Sequence, residues 1–226
     1  DPDQCWRTNV TGLQNLVHAA LAQSSRPWIL FSSSREVYGQ APSLPVAETT
    51  ALNPLNVYAQ TKAEAEQIVL ANPAHAVVRI ALTAGTSPTR DRSFVEDMVR
   101  SAAKGAKLTL FTDEFRCPLP AGALVRALWE FGVQRRAGLY HVGGHERLSR
   151  WEIGELLATR FPALRASIQP GSVADYHGPP RPPDLSMRSE KMQALLSFRL
   201  PGFRQWLTDA SPDGGDLWDY PPAESR

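Results

Sequence analysis

The first eighty residues alternate between helix-spaced and strand-like apolar patterns, and that alternation leaves the chain few ways to fold. From Thr8 to Gln23, Val10, Leu13, Leu16, Val17, Ala20 and Leu21 recur at helical spacing. The run "PWILFSSS" follows, short and apolar as a buried parallel strand is. A loop rich in Pro, Ser and Thr then leads to a second helix, expected over roughly residues 54–71, with Asn53 as its cap and Pro54 in its first turn. "HAVVRIAL" is a second buried-strand candidate. Helix, strand, helix, strand predicts an α/β fold built on a parallel sheet.

The second half changes character. A helix near 93–104 precedes the strand "KLTLF", Pro120 opens a helix to about Phe131, and "GLYHVGG" reads as another strand. Ser149 and Glu152 form a capping-box pattern before a helix to about Arg160. "GPPRPPD" reads as a stiff connector, with short helices near 189–196 and 201–208 after it. Residues 211–226, rich in Pro, Gly and Asp, are expected to form a flexible tail.

Composition narrows the function classes. With 226 residues, 42% of them hydrophobic and 21% charged, the chain can bury a core of its own. A net charge of +1 leaves no broad footprint for nucleic acid. No apolar run approaches the ~20 residues of a membrane span. Cys5 and Cys117 are too few for a disulfide framework, nothing resembles a secretory segment, and a reducing, cytoplasmic setting is expected.

The candidate chemistry lies in "NVYAQTKAEAEQIV" and in the strand end before it. Lys62 stands four residues after Tyr58, one turn along the same helix face. A nearby ammonium favours a phenolate, so Lys62 is expected to bring Tyr58 towards use as a general acid or base. Ser34 closes the strand "PWILFSSS", at the carboxyl end where open α/β sheets place their ligands. The three groups can then converge on one small polar group. The weaker candidates read differently. His141 and His145 lack a third partner and the helix that would align them, so no metal site is expected. Asp113 and Glu114 read as a solvated turn, and Trp151 and Trp206 as helix-face core or interface residues.

The set Asn9-Val10-x-Gly12, Ser34-x-x-Val37-Tyr38-Gly39 and Tyr58-x-x-x-Lys62 resembles the extended short-chain dehydrogenase/reductases that act on nucleotide sugars. "FTDEFRCPLPAGALVRAL", "GLYHVGGHERLSRWEIGELL" and "RPPDLSMRSEKMQALLSFRLPGFRQWL" are similar to the C-terminal part of the dTDP-4-dehydrorhamnose reductase group, and the likeness runs to about residue 208. It implies a partial Rossmann-like doubly wound parallel sheet with a smaller C-terminal α+β substrate-binding region. Residues 1–85 are the expected Rossmann part and 86–210 the expected substrate region, interleaved with the last Rossmann elements. The implied activity is NADP- or NAD-dependent reduction of a 4-keto nucleotide sugar, in a possible homodimer. Tyr58 is implied as proton donor to the carbonyl, Lys62 as the holder of the nicotinamide ribose, and Ser34 as the hydrogen-bond partner of the reacting oxygen. Asn9 is implied to place the helix backbone or the cofactor, a polar helix cap being its other reading. Ala81 and Leu82 are implied to run past the nicotinamide; epimerases of the family typically show Asn where Leu82 stands, which favours the reductase. Arg116 is a candidate for the diphosphate, because a guanidinium fork matches phosphate oxygens, or else a member of a structural ion pair. Phe94 and Met98 line the substrate cleft or are plain core.

The Gly-rich dinucleotide fingerprint does not occur in this sequence. The resemblance places Asp1 in the fourth helix of the Rossmann unit, so the expectation is a fragment lacking the first βα units, on the order of 80 residues. Such a piece is expected to bind dinucleotide poorly and to expose an apolar sheet edge. The competing readings are a nucleotide-sugar epimerase or dehydratase, and a non-catalytic module binding a sugar nucleotide or a protein.

Overall fold

The computed structural model describes residues 1–209 apart from Pro88, Arg90, Pro179 and Pro180; the expected tail at 211–226 lies outside the described residues. The chain opens with α1 (Pro2–Trp6), which runs through a π-helical turn (Arg7–Thr11) into α2 (Gly12–Leu21). β1 (Leu30–Ser34) ends in a 3-10 turn, Arg35–Tyr38, and α3 (Val57–Leu70) leads to β2 (Ala76–Ile80) and the short β3 (Thr83–Ala84). Next come α4 (Phe94–Ala103), β4 (Leu108–Phe111), β5 (Phe115–Arg116), β6 (Leu119–Pro120), α5 (Ala121–Gln134) and β7 (Gly138–Val142). β8 (Leu148–Ser149), α6 (Arg150–Arg160), β9 (Ile168–Gly171), α7 (Glu190–Gln193) and α8 (Phe203–Asp209) complete it.

β1, β2 and β7 form one parallel sheet in that order. Side chains alternate between its faces. Ala76 and Val78 of β2, with Tyr140 and Val142 of β7, pack against Ala127 and Phe131 of α5. The opposite face carries Ser33, Arg79 and His141, which are register partners across the three strands. Glu66 of α3 closes over that row and bonds both Ser33 and Arg79. Helices therefore cover both faces, and the doubly wound α/β fold expected from the sequence is present. β1 has a single sheet neighbour among the described residues, with Leu30 and Phe31 half-buried.

A second core joins Val95 and Met98 of α4, Leu110 of β4, Ile153 and Leu157 of α6, and Phe203 of α8. Trp151 and Trp206 pack against it. β4 pairs with β9 in parallel, β3 with β6 in parallel, and β5 with β8 antiparallel. The capping box expected at α6 forms: Ser149 Oγ accepts from Glu152 N at 3.0 Å, and Ser149 N donates to the Glu152 carboxylate at 2.7 Å. Among the described residues no helix is long and apolar enough to cross a membrane.

The start of α3 differs from the expectation. Asn56, not Asn53, caps the helix, its side chain accepting from Ala59 N at 2.8 Å. Asn53 is held elsewhere. Its N–H donates to Val37 O at 3.0 Å, and its carbonyl lies against Gly39, where a Cβ would stand 2.0 Å from it. Gly39 also has a φ of +51°, so this contact selects glycine twice over. The "VYG" turn thus fixes where the loop releases the chain into α3. The helix expected near 189–196 is likewise shorter, four residues long at Glu190–Gln193.

Candidate active site

The carboxyl ends of β1 and β2 open onto a cleft of about 230 Å³. Five residues singled out from the sequence line it together: Ser34, Tyr58, Ala81, Leu82 and Arg116. Arg35 and Glu36 line it as well, and the sequence reading passed over both. Ser34 is the last residue of β1 and caps the 3-10 turn, its Oγ accepting from Glu36 N at 3.2 Å. Tyr58 sits in the first turn of α3.

The electrostatics of Tyr58 run against expectation. Partial desolvation raises the Tyr58 phenol pKa above its usual value although the residue stays 42% exposed, and the nearby Ser34 hydroxyl only partly offsets this. The expected lowering by Lys62 does not set the direction. The Lys62 ammonium lies 5.9 Å from the Tyr58 ring centroid and 4.6 Å from that of Phe31, and donates to Ser32 O at 2.9 Å. Its own pKa is lowered by burial. A phenol held protonated suits a proton donor better than a resting base. Lys62 is not among the residues lining the cleft, but an ammonium has three donors and Ser32 takes one. The remaining two can meet vicinal hydroxyls, so the group fits the ribose end of a nicotinamide nucleotide.

Asn9 ties the first helical segment to α3. Its Nδ2 donates to Thr61 Oγ1 at 2.9 Å, and Thr61 Oγ1 donates to Tyr58 O at 2.8 Å. Met98 is buried in the second core, and Phe94 packs against it under the Arg150 guanidinium. Neither lines the cleft, so the packing places both with plain core.

Arg116 forms the ion pair that one of its two readings expects. It lines the cleft, and its Nη2 donates to Glu114 at 2.5 Å. The solvated turn expected at Asp113 and Glu114 is overturned. Asp113 accepts from Ser172 Oγ at 2.6 Å and Val173 N at 2.8 Å. Glu114 is fully buried and is shared by Arg116, by Arg181 at 2.8 Å and by Arg150 at 3.9 Å. One carboxylate among three guanidiniums leaves that wall of the cleft positive.

His141 and His145 serve the backbone separately. His145 Nδ1 lies 3.2 Å from Leu200 O, and His141 Nδ1 lies 3.0 Å from Arg188 O. His141 Nε2 is 2.7 Å from Tyr38 Oη, which also accepts from Arg79. Burial, with Arg79 and Arg35 nearby, pushes the His141 pKa down to about 4 from 6.5. The fold thus holds the imidazole neutral while the unfolded chain takes up a proton below pH 6.5. Stability is therefore expected to fall as pH drops from 6.5 to 4, by roughly 3 kcal/mol from this group. Urea unfolding across that range checks it: His141→Asn should remove that part of the slope, and an unchanged slope would refute the assignment.

The family model described as "RmlD substrate binding domain" matches residues 1–213. The chain belongs to this family. A dTDP-4-dehydrorhamnose reductase of Sinorhizobium fredii is 24% identical to this RmlD-family chain over 91% of it and 72% of the relative. Methionine adenosyltransferase 2 subunit beta of Bos taurus is 28% identical over 97% of the chain but 65% of its own length. The solved structure of a Bacillus anthracis dTDP-4-dehydrorhamnose reductase in complex with NADP superposes with a TM-score of 0.77 at 19% identity, covering 88% of this chain and 70% of that one. At that identity the likeness carries the fold.

Proposed function

We propose that this RmlD-family chain carries the proton-donating and sugar-facing half of an NADP- or NAD-dependent reductase of a 4-keto nucleotide sugar. The observation that supports it most is that Ser34 and Tyr58 line one cleft together with Ala81, Leu82 and Arg116. Ser34 orients the carbonyl oxygen and Tyr58 donates the proton that converts it to a hydroxyl. Arg116, already aimed by Glu114, meets the diphosphate. Lys62 and the backbone at Ala81 and Leu82 would hold the nicotinamide end of the cofactor. When bound, that cofactor supplies the hydride. A cytoplasmic homodimer is part of the same proposal.

The test is a stoichiometry. Full-length protein supplied with NADPH or NADH and a dTDP- or UDP-linked 4-keto hexose is expected to oxidise one equivalent of cofactor per hexose reduced. Epimerised sugar without net oxidation would replace the reductase with the epimerase reading. A second reading rests on the relative named as a subunit of methionine adenosyltransferase: a chain of this shape that binds a partner protein and turns nothing over. Cofactor oxidation at enzymatic rates would exclude it.

A further inference from the structure

The proposed reduction leaves a buried cation of the cleft, Arg35, without a task. Arg35 follows Ser34 directly, lines the same cleft and is 2% exposed. Its Nε donates to Ser186 O at 3.4 Å and its Nη2 to Asp184 O at 3.2 Å, while its Nη1 has no hydrogen-bond partner among the described residues. It makes no salt bridge among them either; its guanidinium carbon lies 5.1 Å from the Tyr38 ring centroid, and the Asp184 charge acts on it only at longer range. The Asp184 carboxylate is paired with Arg147 at 2.6 Å, and Glu36, the acid on the cleft wall, accepts from Asn56 at 3.1 Å. A guanidinium buried without a counter-charge is costly, and an anion entering the cleft offsets that cost. Burial also pushes its pKa down to about 10, in the direction of an unneutralised site.

Position identifies the anion. Arg35 lines the same cleft as Ser34, the contact for the reacting oxygen, so an anion meeting Arg35 there belongs to the ligand that cleft holds. The diphosphate is assigned to Arg116, which shares Glu114 with Arg150 and Arg181. We propose that the cleft takes a nucleotide sugar whose hexose carries a carboxylate, and that Arg35 recognises it. A carboxylate presents two oxygens in the plane of a guanidinium fork, which a hydroxymethyl or methyl group cannot do. The inference rests on the nucleotide-sugar reading.

Calorimetric titration of the full-length protein with UDP-glucose, UDP-glucuronic acid and UDP, and with the thymidine counterparts, tests it. The unaltered protein is expected to bind the uronate about tenfold or more tighter than the neutral hexose of the same base. Arg35→Met is expected to weaken the uronate about tenfold more than the hexose. Equal affinity of the unaltered protein for both sugars overturns the inference, and needs no variant to fold. Equal losses for uronate, hexose and bare UDP in Arg35→Met also overturn it, by moving Arg35 to the diphosphate. If none of the six ligands binds, the nucleotide-sugar reading itself fails.

Discussion

Tyr58→Phe is expected to lower turnover of a 4-keto nucleotide sugar by about 10²- to 10⁴-fold while changing KM little. The substitution removes one oxygen from a ring that keeps 42% of its surface exposed, so the fold has little to lose. What disappears is the proton that the carbonyl oxygen needs as it becomes a hydroxyl. Ser34 remains to hold that oxygen but has no acidity to match. The pH dependence adds a second check. Burial raises the phenol pKa, so the donor stays protonated through neutral pH, and turnover is expected to fall on the alkaline side of 10. In Tyr58→Phe that alkaline limb should vanish along with the rate. Turnover within about threefold of the unaltered protein would place the proton donor elsewhere and remove the support for the reductase.

Glu114→Gln is expected to destabilise the chain by about 3–5 kcal/mol, the usual result of removing one partner from a buried ion pair. The amide fits the same space, so packing is conserved, but the charge is lost and one of the two acceptor oxygens becomes an NH2 donor facing the arginines. Arg116, Arg150 and Arg181 then face one another with no carboxylate between them. Domains are commonly stable by only about 5–15 kcal/mol, so the loss is a large share. Urea unfolding gives the number. A loss under about 1 kcal/mol would mean that the guanidiniums relax into solvent and that the cluster does not hold the cleft wall.

The sheet was legible because its signals are local. Two runs of buried-strand residues, separated by a helix pattern, suffice to order β1, α3 and β2. The capping box at Ser149 needs four consecutive residues and nothing else. The cap of α3 was not legible. Asn53 and Asn56 both suit a helix start, and the choice between them is made by Gly39, which holds Asn53 from fourteen positions earlier in the chain. Within the cleft, Ser34 and Tyr58 could be read from a strand end and a helix start. The surroundings of Glu114 could not, because its three arginines arrive from β5, the start of α6 and the connector at Arg181. Lys62 shows the limit of spacing as a guide: four residues put it on the right face, but the Ser32 carbonyl decides where its charge rests. Arg35 was overlooked because an arginine at the close of a strand ordinarily reaches solvent, and here the segment around Asp184 and Ser186 shuts it in.

The line of Ser33, Arg79 and His141 also determines how the three strands can be threaded. Sliding β2 by one position against its neighbours would turn the Arg79 guanidinium away from Glu66 and into the hydrocarbon beneath Phe131. Valine-rich parallel strands are otherwise tolerant of such slippage, since each offset buries much the same apolar surface. A single charge at the fourth of the five residues of β2 makes the misaligned pairings prohibitive, and so keeps Ser34 level with Ile80, the residue before Ala81.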